Sequence, residues 1–342
     1  MKTVRFGKTE LMVSEIAFGG IPIQRLTAEQ AVQLIHSSID LGINFFDTAN
    51  SYTDSEEKIG LAIKNIPRDS LVIATKSGAL DKKTFIEHLD LSLKRLGTDY
   101  IDIYQHHSMS TIKSYDAIFS EGGANEGMVE AVKSGKVRFP AFSSHNIPLA
   151  MQIMREQNYF AVQLPFNYLD DEAAKAAIPL ARELDMGFIA MKPFGGGLLS
   201  NADLCIRYLA QFDGIIPDPG IEKVEEIREI IRLTDGSDPL TDEDLQTIER
   251  QRKELGDHWC HRCDYCQPCP EEIAISMVLN LQSFIKRTPF NRTREMLGAS
   301  IQRARDCQQC MACTERCPYN LDIPQLLKER LSQWDEFIVG QQ

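Results

Sequence analysis

Residues 43–60 read INFFDTANSYTDSEEKIG: an apolar run, a polar stretch of turn formers, then a segment of helical period. A switch from strand-like to helix-like periodicity marks one βα unit. The same switch recurs on both sides. Strand candidates lie at 13–18, 44–46, 71–75, 101–104, 139–142, 161–164, 187–191 and 214–216. Between them run helical segments such as 27–41 and 84–96, with Thr27 and Thr84 as N-caps and Gly42 and Gly97 just beyond their ends. Each crossover is long enough to return the chain to a parallel strand. Eight such units predict an α/β TIM (β/α)8 barrel rather than a doubly wound sheet. The Gly-x-Gly-x-x-Gly fingerprint expected after the first strand of a dinucleotide fold is missing, and Gly19-Gly20 alone carries no argument.

The chain has 342 residues, more than one barrel of roughly 250 needs. Lys and Arg total 37 against 49 Asp and Glu, for a formal charge of −12. That field repels phosphate backbones and anionic lipid, so neither nucleic acid nor membrane is expected as a partner. The N-terminal residues lack the apolar run of a signal peptide, and no stretch of about 18 uncharged apolar residues occurs. A cytoplasmic protein is expected. The nine cysteines are distributed unevenly, with eight between Cys260 and Cys317 and none in the first 204 residues. Thiols crowded together in a reducing compartment indicate metal rather than disulfides. The turn-rich stretch LTDGSDP at 233–239 and the polar helical pattern after it divide the chain. We expect a barrel over 1–235, a connector helix over 236–256 and a small, mainly α-helical iron-sulfur domain over 257–342.

Barrel enzymes carry their chemistry at the C-terminal ends of strands. The second, third and fourth candidate strands end NFFDTANSY, LVIATK and YIDIYQHH, offering Asp47, Tyr52, Lys76 and either His106 or His107. A phenol with a pKa near 10 is a poor acid at neutral pH unless a cation stabilises its anion. Lys76 can do this, with Asp47 holding the ammonium in place. Each residue alone has a plainer explanation as packing, capping or solvated charge. Their coincidence on three successive strand ends favours a proton-donor site.

These residues resemble the aldo-keto reductase superfamily, through the five-residue spacing from Asp47 to Tyr52, ATK on the third strand and DIYQHH on the fourth. The resemblance implies that Tyr52 is the general acid, Lys76 and Asp47 its supporting pair, and His107 the group that orients a substrate carbonyl. It further implies a nicotinamide cofactor, NADP being the commoner choice and NAD the other. Ser143, Ser144 and Gln163 would hold the carboxamide, and Gly195, Gly197 and Leu198 in FGGGLL would lie near the pyrophosphate. Gly220 and Lys223 in PDPGIEKVEEI would take the adenosine phosphate end. Two departures stand out: Met191 occupies the position of a stacking Tyr, and Ser144 that of an Asn.

The cysteines read Cys260-x2-Cys263-x2-Cys266-x2-Cys269-Pro and Cys307-x2-Cys310-x2-Cys313-x3-Cys317-Pro. Three thiolates at this spacing wrap a cuboidal cluster while the fourth reaches elsewhere, so two 4Fe-4S clusters are expected; two four-thiolate zinc sites are the alternative. The domain resembles the α-helical two-cluster ferredoxins. That likeness implies one cluster on Cys260, Cys263, Cys266 and Cys317 and another on Cys307, Cys310, Cys313 and Cys269. Cys205 reads as a small buried hydrophobe. The whole chain is similar to aldo-keto reductases with a C-terminal ferredoxin domain. Two functions follow. One is an NAD(P)H-dependent oxidoreductase acting on a small carbonyl substrate, its clusters structural or serving a redox partner protein. The other is an electron-transfer or redox-sensing module whose barrel is catalytically vestigial.

Overall fold

The computed structural model describes residues 1–236, 238–256 and 258–340, in two compact units, Met1–Leu240 and Thr241–Gln342. Ser237 in the expected connector, Asp257 at the start of the expected cysteine domain, and the last two residues lie outside the described residues.

In the first unit, β1 (Thr3–Arg5) and β2 (Met12–Ser14) form an antiparallel hairpin. Eight further strands follow: β3 (Phe18–Gly19), β4 (Phe45–Asp47), β5 (Val72–Ser77), β6 (Ile101–His106), β7 (Val137–Ser143), β8 (Ala161–Pro165), β9 (Gly187–Met191) and β10 (Ile215–Asp218). They pair in parallel and in chain order from β3 to β10. Ala17 N–H donates to Pro217 O and Gly19 N–H to Pro219 O, both at 2.9 Å, which joins the first barrel strand to the last. The expected α/β barrel is therefore the fold.

The reading of 13–18 as one strand is corrected. Ser14 Oγ donates to Ile16 O at 2.7 Å and turns the chain, so Met12–Ser14 belongs to the hairpin and only Phe18–Gly19 to the barrel. Apolar residues run through both pieces because both are buried: Phe6 and Val13 pack with Phe45 and Ile103 in the barrel interior. Helix Ala28–Asp40 starts on Thr27 with a capping box completed by Gln30. The N-cap at Thr84 is also corrected. Helix Lys82–Leu96 begins a turn earlier on Asp81, whose carboxylate accepts the Thr84 N–H at 2.9 Å. Gly97, at φ 65°, closes that helix.

Helices Ser55–Ile63 and Lys82–Leu96 touch through Gly60, where a methyl group would lie 2.2 Å from Arg95 O. Backbone cannot yield as a side chain does. Gly60→Ala should lower the urea midpoint by an amount equivalent to about 1–3 kcal/mol, against a gain of under about 1 kcal/mol in helix propensity. An unchanged midpoint would show that the two helices separate freely.

The second unit consists of helices Asp242–Gly256, Ile275–Leu279, Leu281–Arg287, Phe290–Arg305, Ala312–Glu315 and Ile323–Val339. The helical chain between the two cysteine runs is broken at Asn280 and before Pro289. Buried Arg330 donates to Leu279 O at 3.1 Å, satisfying one carbonyl at the first break. The core combines Val278, Leu281, Leu297, Ile323 and Leu327 with Cys266, Cys313 and Cys317. Among the described residues no helix is long and apolar enough to cross a membrane.

Candidate functional site

Ala17, Phe45, Ala74, Ile103, Ala141, Ala161, Ile189 and Ile216 meet in the barrel interior. A strand returns to the same face two residues later. That step gives Gly19, Asp47, Lys76, Gln105, Ser143, Gln163, Met191 and Asp218, a mostly polar layer directly above the apolar one and at the C-terminal ends of the strands.

Within that layer Lys76 Nζ donates to Asp47 Oδ2 at 2.5 Å and to Thr48 O at 2.7 Å. Burial works against the ammonium, but Asp47, through its charge and its hydrogen bond, leads the groups that outweigh it, so the Lys76 pKa stands above the ordinary lysine value. Lys76 is a fixed cation. It lies 5.4 Å from the centroid of the Tyr52 ring, which meets His107 edge-on at 6.0 Å. Asp47, Lys76, Tyr52 and His107 are therefore together. His106, the other member of the pair, is fully buried against Phe85 on the opposite side of β6, and burial pushes its imidazole down to about 3.

Tyr52 sits on a loop, yet its flanks are anchored. Thr53 Oγ donates to Gln24 Oε1 at 2.9 Å, and Lys58 joins Ile23 O at 3.0 Å and Asp54 at 2.8 Å. Glu56 accepts from Thr75 Oγ at 2.7 Å and pairs with Arg95, which also reaches Asn50 O at 3.1 Å. The polar residues of SYTDSEEKIG thus hold the loop to three neighbouring elements.

Ser143 and Gln163 are paired across β7 and β8, and Ser143 Oγ accepts the Ser108 N–H at 2.9 Å. Ser144 is tied into its own turn, accepting the Asn146 N–H at 3.1 Å and donating to Ser110 Oγ at 3.4 Å. Met191 ends β9, half-buried. Gly195, Gly196 and Gly197 follow with φ of 56°, 68° and 88°, a run of left-handed backbone that glycine alone sustains easily. Leu198 lies in the same turn. Gly220 bridges to Gly19, and Lys223 caps helix Val224–Asp235. At that helix end the Glu226 carboxylate accepts the N–H groups of Glu222 at 2.8 Å and Lys223 at 3.0 Å.

Two residues of this layer, Gln105 within DIYQHH and Asp218 within PDPGIEKVEEI, have no role in the motif reading. Gln105 donates to Asp47 Oδ1 at 3.4 Å, and Asp218 shares the Gln163 amide with Asp47. The signal that reveals them is the strand period, since each stands two positions after an inward apolar residue.

In the second unit several cysteines lie near one another, though among the described residues no three of them close on a point that could hold a metal ion. Burial pushes the Cys266 thiol up, and the neighbouring thiols of Cys260, Cys263 and Cys313 add to this. The Cys263 thiol is raised by burial and also by Cys317. Separately, Cys269, Cys307, Cys310 and Cys313 line one cavity of about 70 Å3 together with Ile273 and Leu327.

Residues 15–204 match the Aldo/keto reductase family, which covers more than half of the chain. The chain belongs to that family. Residues 259–322 match the 4Fe-4S dicluster domain, so this aldo/keto reductase is an oxidoreductase with a C-terminal iron-sulfur domain. It is 28% identical over 218 residues to the uncharacterized oxidoreductase YqkF of Bacillus subtilis (strain 168), covering 60% of this chain and 68% of that protein. The barrel is similar to the holo form of the aldo-keto reductase AKR11C1 from Bacillus halodurans. That likeness has a TM-score of 0.63 at 24% identity, over 73% of this chain and 96% of that one. An aldo-keto reductase from Klebsiella pneumoniae in complex with NADPH gives a TM-score of 0.62 at 23% identity, over 73% and 95%. At such identities the two structures speak to the fold.

Proposed function

We propose that the barrel reduces a small carbonyl compound with a nicotinamide cofactor, NADPH before NADH, and that Tyr52 supplies the proton. The observation that carries this reading is the buried Asp47–Lys76 pair beneath the Tyr52 ring, with His107 at its edge. The polar layer suits a nicotinamide. Gln163 Oε1 is a buried acceptor with no partner among the described residues, the complement of a carboxamide N–H, and Ser143 stands beside it. Bound there, the cofactor supplies a hydride.

The remaining work falls to the chain. Tyr52 donates its hydroxyl proton to the carbonyl oxygen as negative charge develops there, and His107 orients that oxygen. Lys76 offsets the phenolate left behind. Asp47 and Thr48 O keep the ammonium from turning to solvent. Gly195, Gly197 and Leu198 are assigned to the pyrophosphate, and Gly220 and Lys223 to the adenosine end.

The spacing of the two cysteine runs supports two 4Fe-4S clusters, one on Cys260, Cys263, Cys266 and Cys317 and one on Cys269, Cys307, Cys310 and Cys313. When bound, such clusters move single electrons, and two of them match the two electrons of a hydride; the class of partner is a redox protein. The test is an anaerobic assay with NADPH and NADH against aldehydes, small ketones and quinones, with deuterium on the transferred position. Label appearing on the former carbonyl carbon is expected. No turnover with any carbonyl, in protein that holds iron and sulfide, would leave an electron-transfer module in its place.

A further inference from the structure

Asp218 places a second carboxyl in the polar layer, 8% exposed, at the end of β10. Gln163 Nε2 donates to Asp218 Oδ2 at 3.0 Å and to Asp47 Oδ2 at 3.2 Å, so one amide is shared by two carboxyls. Asp218 also lies within hydrogen-bond reach of Asp47. Its Oδ1 has no partner among the described residues and rests against Gly19, where even a methyl group would come within 3.0 Å of it.

The titratable groups that face Asp218 are Asp47 from β4 and Lys76 from β5, with Tyr52 beyond Lys76 on the loop after β4. From β8 and β9 come the uncharged Gln163 and Met191. Two carboxylates against one ammonium would leave net negative charge in a desolvated layer, which is costly, and like charges sharing one donor repel. One retained proton removes both penalties. Asp47 holds the 2.5 Å ion pair, so the proton falls to Asp218.

We propose that Asp218 is a proton-holding positioning residue, a neutral carboxylic acid that fixes the Gln163 amide and leaves the charge of Lys76 undivided for Tyr52. Burial, with Asp47 adding and Lys76 opposing, holds its carboxyl well above the ordinary 3.8. As an acid, Asp218 donates to Asp47 while accepting from Gln163. The amide NH2 then points at the carboxyls and Oε1 remains free to accept. As an anion it would draw on Lys76, leave the Tyr52 phenolate less compensated and slow proton donation. The effect on Tyr52 rests on the reductase reading; the proton on Asp218 does not.

The sign of the linkage follows. A carboxyl raised on folding contributes most favourably below about 3.8 and loses that contribution as pH rises toward its folded value, because the native state keeps a proton the unfolded chain releases. Asn cannot ionise and escapes this loss.

The experiment uses the full chain labelled with 13C-aspartate. Infrared spectroscopy at neutral pH should show the carbonyl stretch of a protonated aspartyl carboxyl, absent from Asp218→Asn. The melting temperature of the parent should fall relative to that variant between pH 4 and pH 8. In turnover, the basic limb of kcat against pH should move up by about one unit or more in the variant. A parent spectrum without any protonated aspartyl band overturns the proposal and needs no variant to fold. So does a variant that keeps the band, or whose stability and kcat follow pH as the parent's do. If no carbonyl is reduced at all, the reductase reading fails while the infrared and stability results still decide the proton.

Discussion

Tyr52→Phe should lower kcat for carbonyl reduction by roughly two to four orders of magnitude while nicotinamide affinity stays within about twofold. The substitution removes the hydroxyl and keeps the ring. The ring stays 5.4 Å from Lys76 Nζ and edge-on to His107, so packing and the cation–ring attraction persist. The loop should hold as well, because Thr53, Asp54, Glu56 and Lys58 anchor it. Lys76→Ala would be a blunter probe. It strands Asp47 in the barrel interior, and breaking a buried pair costs about 3–5 kcal/mol, so lost activity would be confounded with lost fold. Stopped-flow measurement of the hydride step with deuterated cofactor separates chemistry from product release. A Tyr52→Phe variant that transfers hydride at the parent rate would remove Tyr52 as the acid and reassign proton donation to His107.

How much of this site can be read from residues alone depends on the range of the interaction. Asp47, Tyr52, Lys76 and His107 stand out because each ends a strand-like run with a side chain that has no place in a core. Gln105 and Asp218 satisfy the same condition, but each is hidden by its neighbours. Gln105 lies between Tyr104 and the histidine pair, and Asp218 lies in PDPG, which reads as a turn. Taking the apolar inward residue of every strand and stepping two positions finds both. That Gln163 joins Asp47 to Asp218 was not legible, since the contact spans 116 residues on one side and 55 on the other. The same limit explains the first strand. A continuous apolar run carries no mark of the point where it leaves a hairpin for the barrel when both halves are buried, and the hydroxyl of Ser14 that makes the turn is local detail. Gly19 and Gly20 show the converse. No motif gives them meaning, but a methyl on Gly19 would lie 2.5 Å from Pro219 O, so barrel closure requires that glycine, and one on Gly20 would lie 2.9 Å from Asp47 O on the neighbouring strand. The cysteine spacing was legible because each run is local in sequence. The nearness of Cys317 to Cys263 is again a long-range contact.

Stripping iron and sulfide from the protein under anaerobic, reducing conditions should abolish the fold of Thr241–Gln342 while the barrel strands keep their protected amides. Between the helix ending at Gly256 and the one beginning at Ile275, the described residues contain neither helix nor strand. So long a stretch without regular structure needs another source of order. Side-chain hydrogen bonds that tie this segment down include Asn280 Nδ2 to Cys260 O at 3.3 Å, Arg316 to Cys266 O at 2.9 Å and Pro268 O at 2.7 Å, and Gln267 to Ile273 O at 2.8 Å. At about 1 kcal/mol each these do not offset the entropy of ordering the segment. Cys266, Cys313 and Cys317 also belong to the hydrophobic core, so ligand loss loosens packing around Ile273, Leu321 and Leu327 as well as the loop. Structural zinc contributes on the order of 10 kcal/mol to small zinc-finger domains, comparable with the entire stability of a unit this size, and a cluster held by several thiolates couples to folding in the same way. Hydrogen exchange followed by mass spectrometry should therefore show helices Phe290–Arg305 and Ile323–Val339 protected with clusters and exchanging fully without them, and Cys266→Ala should reproduce the stripped state. Equal protection in both forms would mean that the apolar core alone holds the unit, leaving the thiols free to serve electron transfer without a structural duty.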